Sequence, residues 1–187
     1  ALGWVKLWTG DIDGACKFFK EALRLNPSAP AAMHGEADCL MFDGRVDVSL
    51  ARLRKLVTIS PFSVMDNFPL PSHLYMARRY DEALIAAQAM QARLPHFPLH
   101  RFFSRVYWQQ GLFQKALEEE RLEFERRGDT VLMAALEQSL GASGPTGAMR
   151  AMGEAMAARA SESYVEPFNI AGAFARAEAA EETIYWL

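Results

Sequence analysis

The sequence predicts an all-α fold, an α-α superhelix of antiparallel helix pairs, because three kinds of residue recur along it with one period. Prolines follow one another at intervals of 34 residues, at Pro27, Pro61 and Pro95. Small residues keep steps of 34, 34 and 33 residues, at Ala15, Ser49, Ala83 and Ala116. Glycines stand five residues before three of those positions, at Gly10, Gly44 and Gly111. Such self-similarity is typical of stacked helix pairs, in which each pair buries its apolar face against its neighbours.

Helical periodicity inside the first interval supports this fold class. Phe18, Ala22 and Leu25 recur at spacings of four and three, which gives one apolar helix face. Before them, Gly10 can close one helix and Asp11 can cap the next. The proline that follows ends the pair, because it cannot continue the helix and moves the preceding residue out of helical geometry. Each unit is therefore predicted to be two helices joined by a tight turn.

The same residues resemble the tetratricopeptide repeat, whose pattern has this period. In the first unit the matching positions are Leu2-Gly3, Gly10-Asp11, Ala15, Phe19, Ala22 and Pro27. The resemblance covers residues 1–128 and implies four helix pairs, at 1–27 (truncated), 28–61, 62–95 and 96–128. It also implies a right-handed superhelix whose concave groove is lined by the first helix of each pair. The third unit departs from the pattern, because Arg78 replaces its glycine.

Two prolines interrupt the first helix of the third unit. The segment Asn67-Phe68-Pro69-Leu70-Pro71-Ser72 places them where a full helix should run, and each proline removes a backbone donor. We therefore expect an irregular segment over residues 62–70, followed by a short helix from Pro71 to Arg78. A tolerated surface loop and a functional opening in the groove wall both fit this break.

The period lapses in the last third of the chain. Residues 129–163 predict an additional helix pair around a glycine-rich turn at 141–147, and residues 164–187 predict a truncated repeat-like unit that begins Tyr164-Val-Glu-Pro167. This succession is similar to the carboxyl-terminal block of many bacterial multidomain regulators. In those proteins the repeats follow a winged-helix DNA-binding domain, a class III adenylate cyclase or a protein kinase. The resemblance implies a sensing or docking module, and we expect the chain to be a piece of such a longer protein.

Composition narrows the function classes. The chain of 187 residues has 20 basic and 23 acidic side chains, a net charge of −3, so we expect no nucleic-acid partner. No apolar run approaches the roughly 18 residues of a membrane span, so we expect no membrane contact. Cys16 and Cys39 are too few for a disulfide framework and favour a reducing, cytoplasmic compartment, whereas their pairing would fit a secreted origin. The repeat phase makes the two cysteines near neighbours in adjacent helices.

The motifs of catalysis and metal binding are weak. His96 and His100 have the spacing of two ligands on one helix, but Pro95 and Pro98 disfavour a regular helix through both, so we expect surface or capping histidines and no metal. Neither a phosphate-binding loop nor a Ser/His/Asp arrangement stands out. We therefore expect no enzyme and no cofactor. The charged run over residues 118–127 predicts a solvated helix face.

The groove is the predicted binding site. Aligning the first helices by the repeat phase places thirteen side chains on or near the concave face: Trp4, Leu7, Trp8, His34, Asp38, Met41, Phe42, Ser72, Tyr75, Met76, Arg101, Arg105 and Trp108. The aromatic and methionine side chains give adaptable apolar area, and the two arginines, four residues apart, could clamp a carboxylate or an acidic peptide. The tryptophans could instead cover neighbouring repeats. In repeats that clamp chaperone tails, the matching positions carry Lys, Asn and Arg. Here they hold Trp4, Gly35, Met65 and Pro69, so that partner is not expected.

The predicted function is a protein-protein interaction scaffold that binds a peptide, a partner protein or another domain of its parent chain in the groove. Two alternatives remain open at this point. One is self-association into a homo-oligomer through the ends of the array, and the other is a small-molecule sensor that uses the proline-broken segment near Pro69 and Pro71.

Overall fold

The computed structural model describes residues 2–187, which form α-helices and no β-strand. The all-α class is confirmed. The chain divides into two compact units at the boundary between Leu99 and His100. Among residues 2–187, no helix combines the length and apolar character that a membrane span requires.

The first unit contains seven helices: α1 (Leu2–Trp8), α2 (Ile12–Leu25), α3 (Pro30–Phe42), α4 (Val46–Ile59), α5 (Val64–Asn67), α6 (Pro69–Met76) and α7 (Tyr80–Arg93). Helix α2 packs on α1 and on α3, α4 packs on α3 and α6, and α7 packs on α6. Sequence neighbours are thus spatial neighbours, as in a helical repeat.

The predicted turn chemistry is present at the helix junctions. Gly10 and Gly44 adopt left-handed backbone angles, with φ of +83° and +73°. After Gly10, the Asp11 side chain caps α2 by accepting a hydrogen bond of 2.9 Å from the backbone N–H of Gly14. Arg78 takes the same left-handed role in the third unit, with φ of 58°, although it has a Cβ. The third unit therefore keeps the turn geometry although Arg78 replaces the glycine.

A phenylalanine ring fixes the distance between the first three helices. Phe19 of α2 is buried between two glycines, Gly3 of α1 and Gly35 of α3. A Cβ atom built on Gly3 would lie 2.6 Å from the Phe19 ring, and one on Gly35 would overlap the ring as well. Both helices approach α2 closely because neither carries a side chain at this contact.

Cys16 and Cys39 form a disulfide between α2 and α3, and the described residues include no free cysteine. The two cysteines are therefore not the free thiols that a reducing compartment would favour, and the alternative of pairing is the one observed. The repeat phase had already placed the two residues on adjacent helices. Disulfides persist in oxidising compartments, so this bond does not favour the reducing compartment that the cysteine count suggested.

The interrupted helix of the third unit is more regular than expected. Instead of an irregular segment over residues 62–70, α5 and α6 follow each other, and α6 begins at Pro69 rather than Pro71. Both prolines fit in the first turn of α6, where backbone N–H groups have no partner within the helix. Asn67 secures the junction, because its Nδ2 donates to the carbonyl oxygens of Ser60 and Ser63 at 2.7 Å each.

The second unit contains five helices: α8 (His100–Gln109), α9 (Phe113–Arg127), α10 (Thr130–Ala160), α11 (Pro167–Arg176) and α12 (Ala180–Tyr185). The loop expected at residues 141–147 is much shorter in the structure. α10 consists of two helical segments that meet at a kink, where Gly144 has the non-helical angles φ 66° and ψ −168° and Pro145 follows. The core of this unit is formed by α9, α10 and α11, around Phe124, Met149 and Phe174 among others.

The charged run of α9 is only partly solvated, so the prediction of a solvated face is wrong at two positions. Glu120 and Glu123 are buried. Glu120 pairs with Arg176 of α11 at 2.8 Å, and Glu123 accepts two hydrogen bonds of 3.0 Å from Arg126. Buried carboxylates require such partners, because an unpaired charge out of water is strongly destabilising.

Candidate binding pocket

An open apolar pocket of about 450 Å³ lies in the first unit, between α3 and the α5–α6 segment. We call it the α3–α6 pocket. Its lining is mainly methionine, aromatic and aliphatic, with a few polar groups: His34, Asp38, Met41, Phe42, Val64, Met65, Phe68, Pro69, Ser72, His73, Met76 and Phe97. Ligand sites in proteins commonly have this size and this combination of apolar walls and few polar groups.

Helix α3 supplies one wall through its periodicity. Asp38 lies four residues after His34, and Met41 and Phe42 lie three and four residues after Asp38; side chains at spacings of three and four share a helix face. The opposite face of α3 carries Met33 and Ala37, which are buried against Leu53 and Leu56 of α4. The core face thus orients α3 so that its other face borders the pocket.

The other wall exists because the helix is interrupted. Met65 lies on α5, whereas Ser72 and Met76 lie on α6, which begins again at Pro69. Phe97, which follows α7, closes this side by an edge-to-face contact with Phe68 at 6.2 Å between ring centroids. The two short helices leave a space beside α3 that one continuous helix would occupy.

A chain of buried polar groups forms one side of the pocket. The imidazole of His73 lies 2.9 Å from Ser49 Oγ through Nδ1 and 3.0 Å from Asp38 Oδ1 through Nε2. Ser49 Oγ also lies 2.8 Å from the carbonyl oxygen of Ala37, to which it donates its one proton when His73 Nδ1 is itself protonated. The second carboxylate oxygen of Asp38, Oδ2, lies 3.7 Å from His34 Nε2, which is beyond hydrogen-bond distance. This series of polar contacts therefore runs from the α3 backbone through Ser49 and His73 to Asp38 at the pocket.

His34 is the outermost histidine of this chain. Burial lowers the pKa of its imidazole below the ordinary value of 6.5, because desolvation disfavours the charged form, although Asp38 opposes this shift. Its ring contacts the Trp4 ring edge to face, at 4.7 Å between centroids. His34 is consequently neutral at neutral pH and borders the pocket as a polar but uncharged group.

The Ser49, His73 and Asp38 chain brings together the three residue types of a hydrolytic triad, which sequence reasoning missed. Ser49 is nevertheless fully buried, with 0% of its surface exposed. A nucleophile must reach the substrate, and this hydroxyl cannot. Within residues 2–187, no group of three or more His, Cys, Asp and Glu side chains is arranged to hold a metal ion. The burial of Ser49 therefore argues against a hydrolytic role for this group of three residues.

Six of the thirteen predicted groove residues line the α3–α6 pocket: His34, Asp38, Met41, Phe42, Ser72 and Met76. The other four from the first unit lie elsewhere. Trp4 and Leu7 pack against the Phe19 core, Trp8 is exposed, and Tyr75 contacts the Tyr80 ring at 5.8 Å between centroids.

The three predicted residues of α8 belong to the second unit and have partners there. Arg101 Nε lies 3.8 Å from the Glu123 carboxylate. Arg105 donates to Asn169 at 3.3 Å, and its guanidinium lies over the Phe168 ring. Trp108 packs against the core of the second unit and against Phe113. Arg101 and Arg105 also border one pocket of the second unit, and the assignment of these three side chains to a groove stays a prediction.

Sequence reasoning missed five of the twelve lining residues, namely Val64, Met65, Phe68, His73 and Phe97, whereas it placed Pro69 in the segment that a small-molecule sensor would use. Most of these residues lie in the segment expected to be irregular. The signal available there was composition: a proline-broken stretch that carries Met65 and Phe68 is more apolar than a solvated loop requires.

Comparison with solved structures identifies the fold type. Neither a protein-family model nor a curated protein sequence matches the chain. MamA residues 41 to the end, from Desulfovibrio magneticus RS-1, matches with a TM-score of 0.63 and 15% identity over 87% of this chain and 94% of that one. TTC0263, a thermophilic TPR protein of Thermus thermophilus, matches with a TM-score of 0.59 and 21% identity over 99% and 91%. The TPR-like repeats of a putative kinesin light chain from Podosopora anserina match with a TM-score of 0.54 and 15% identity over 99% and 91%. At these identities the likeness concerns the fold, and the chain has a TPR-like all-α helical repeat fold.

Proposed function

We propose that this chain is a protein-interaction module without catalytic activity of its own, which binds an apolar segment of a partner protein in the α3–α6 pocket. The observation that carries the proposal is the open apolar pocket of about 450 Å³. The TPR-like helical repeat fold of the chain supplies a scaffold on which side chains of successive helices form one surface.

The exposed apolar side chains around this pocket support binding of a polypeptide. Phe42, Met65 and Met76 have 59%, 71% and 53% of their surface exposed. Covering such surface stabilises a complex by about 25 cal/mol for each Å² removed from water. Methionine side chains are flexible and polarizable, so they can adapt to the shape of an inserted side chain. A partner's Leu, Met or aromatic residue is the expected anchor.

Two matched variants test the proposal. Met65→Lys places a charge at the pocket, whereas Ile85→Lys makes the same change at a residue of α7 that is 65% exposed and does not line the pocket. Peptides are selected on the wild-type chain from a displayed random library, and their affinities are measured by fluorescence polarisation. We expect Met65→Lys to weaken binding by about tenfold or more and Ile85→Lys to leave it unchanged. Equal binding to wild type and Met65→Lys would place the interaction elsewhere.

The same pocket favours a second candidate, a sensor of an apolar small molecule, because its volume and lining also suit a drug-sized ligand. Organic extraction of the purified chain followed by mass spectrometry distinguishes the two. A compound that is recovered from wild type and absent from Met65→Lys would favour the sensor.

We further propose that the module belongs to a larger bacterial regulator, supported by the resemblance of residues 129–187 to the end of such proteins. The Cys16–Cys39 bond fits an oxidising environment better than the cytoplasm, so it argues against a cytoplasmic location of the module. Thiol labelling of the protein taken directly from cells, before and after reduction, determines whether the bond exists where the protein works.

A further inference from the structure

The α3–α6 pocket is lined by an acidic side chain and by no lysine or arginine. Asp38 is the one Asp or Glu among the twelve lining residues, and none of the twelve is Lys or Arg. The two other titratable lining groups are His34 and His73. Asp66 of α5 is not a lining residue, but its negative charge also acts on the His34 imidazole.

The local charge is negative in either protonation state of His73. If the ring is neutral, Nε2–H donates to Asp38 and Nδ1 accepts from Ser49. If it is charged, both nitrogens donate, and Ser49 turns its hydroxyl to Ala37 alone. With His34 neutral, the three lining groups sum to −1 or 0, and Asp66 lowers either total by one. A cationic group is therefore favoured at this position and an anionic one is disfavoured.

The geometry of Asp38 adds a specific acceptor. Its Oδ1 is engaged by His73 at 3.0 Å, whereas Oδ2 has His34 Nε2 at 3.7 Å, too long for a hydrogen bond. The side chain of Asp38 is 16% exposed and lines the pocket, so a ligand donor can approach it. A carboxylate oxygen in this setting is a strong acceptor for an ammonium or guanidinium group.

We propose that the pocket takes an apolar peptide segment that carries a lysine or arginine beside its apolar anchor, with the cation bound by Asp38. This inference rests on the proposed function and specifies the chemistry of its partner. Met41 and Met76 contact the apolar part of the segment, while Asp38 fixes the position of its charge. An acidic segment is excluded by the same carboxylate.

Three amphiphiles of equal chain length test the charge preference: n-octylammonium, n-octanol and n-octanoate. Each is titrated at pH 8, and binding is followed through the methyl NMR signals of Met41, Met65 and Met76 in protein labelled with ¹³C at methionine methyl groups. We expect octylammonium to bind about tenfold more tightly than octanoate, with octanol between them. Methyl shifts confined to these methionines locate the binding site directly.

Two variants, each of which removes one negative charge, separate the effect of a charge at the pocket from the effect of the net charge of the protein. Asp38→Asn should bring octylammonium binding down to that of octanol. Asp43→Asn should leave the preference unchanged, because Asp43 is exposed at the end of α3 and does not line the pocket. Since Asp38→Asn also alters a partner of His73, a third variant leaves that pair intact: Ser72→Lys should reverse the preference in favour of octanoate.

The outcomes are distinguishable. Tighter binding of octylammonium by wild type and Asp43→Asn, lost in Asp38→Asn, supports the proposal. Equal binding of all three amphiphiles at the three methionines overturns the cation preference and leaves the apolar binding function standing. Unchanged methyl signals with every amphiphile overturn both.

Discussion

Replacing Arg176 with Met should destabilise the second unit strongly, because it leaves a buried carboxylate without its ion-pair partner. Arg176 Nη1 lies 2.8 Å from Glu120 Oε1, and the side chains are 15% and 5% exposed. Ser104 donates to the same oxygen at 2.7 Å. After the replacement, this hydroxyl is the one remaining donor among the described groups that contact Glu120. Removal of one member of a buried pair costs about 3 to 5 kcal/mol, and the near-complete burial of Glu120 places Arg176→Met in that range.

The reverse replacement should cost less, and the double replacement least. In Glu120→Gln the guanidinium keeps its contact with Ser104 Oγ at 3.1 Å and its position over the Trp108 ring, so we expect a loss of about 1 to 3 kcal/mol. In the double variant Glu120→Gln/Arg176→Met, both charges are gone and the Gln amide oxygen still accepts from Ser104. Replacing both members of a buried pair is often close to neutral, so most of the stability should return.

Urea unfolding followed by circular dichroism measures these free energies, provided that the variants keep the same denaturant dependence. The control is Arg24→Met, which removes a pair of similar length, 2.7 Å to Glu21, whose side chains are 68% and 55% exposed. That variant should lose less than about 1 kcal/mol. If Arg176→Met is no more destabilising than Arg24→Met, or if the double variant is as unstable as Arg176→Met, the reasoning from burial is refuted.

Three further predictions concern the first unit. Reduction of the Cys16–Cys39 bond should lower the free energy of unfolding by about 3.4 kcal/mol, because the bond closes a loop with a sequence separation of 23. Urea unfolding with and without reductant measures this change, and an unchanged midpoint would contradict the prediction. Gly35→Ala should destabilise by about 1 to 3 kcal/mol because its Cβ overlaps the Phe19 ring, whereas the matched Gly172→Ala, with open space around its Cβ, should stabilise by up to about 1 kcal/mol. Burial lowers the pKa of His34, whose imidazole faces Asp38, Asp66, His73 and the Trp4 ring. As the pH falls below 6.5, this imidazole is protonated in the unfolded chain before it is protonated in the folded one, so the free energy of unfolding declines. Unfolding measured from pH 8 to pH 5 should show a smaller decline in His34→Gln, and parallel curves for the two proteins would disprove the assignment.

The fold was predictable because its determinants are local and repeated. Gly10 and Asp11 carry out their turn and cap roles with residues no more than a few positions away. The small residues at helix crossings recur with the period, and Ala15, Ser49, Ala83 and Ala116 are each fully buried. Signals of this kind can be recognised in a single sequence because they involve neighbouring residues or repeat at a fixed spacing.

Several of the errors concern groups whose partners are distant in sequence. Glu120 looks like part of a solvated face until Arg176, 56 residues later, is brought against it. His73 has its partners Asp38 and Ser49 at separations of 35 and 24 residues. The repeat phase predicts which helices are adjacent, but not which side chains meet across them. The pairing of Cys16 with Cys39 was therefore foreseeable as proximity and not as a bond.

The α3–α6 pocket combines two features that each reduce stability. An unfilled apolar cavity forfeits packing contacts, and a buried Ser-His-Asp chain requires every member to be satisfied. The same segment also departs from the repeat pattern, because Pro69 and Pro71 divide what should be one helix. Violations of local rules that coincide at one place are characteristic of functional sites, since structure alone offers no compensation for them. A bound segment would supply it, by filling the cavity with apolar atoms and giving Asp38 Oδ2 the donor that it lacks at hydrogen-bond distance.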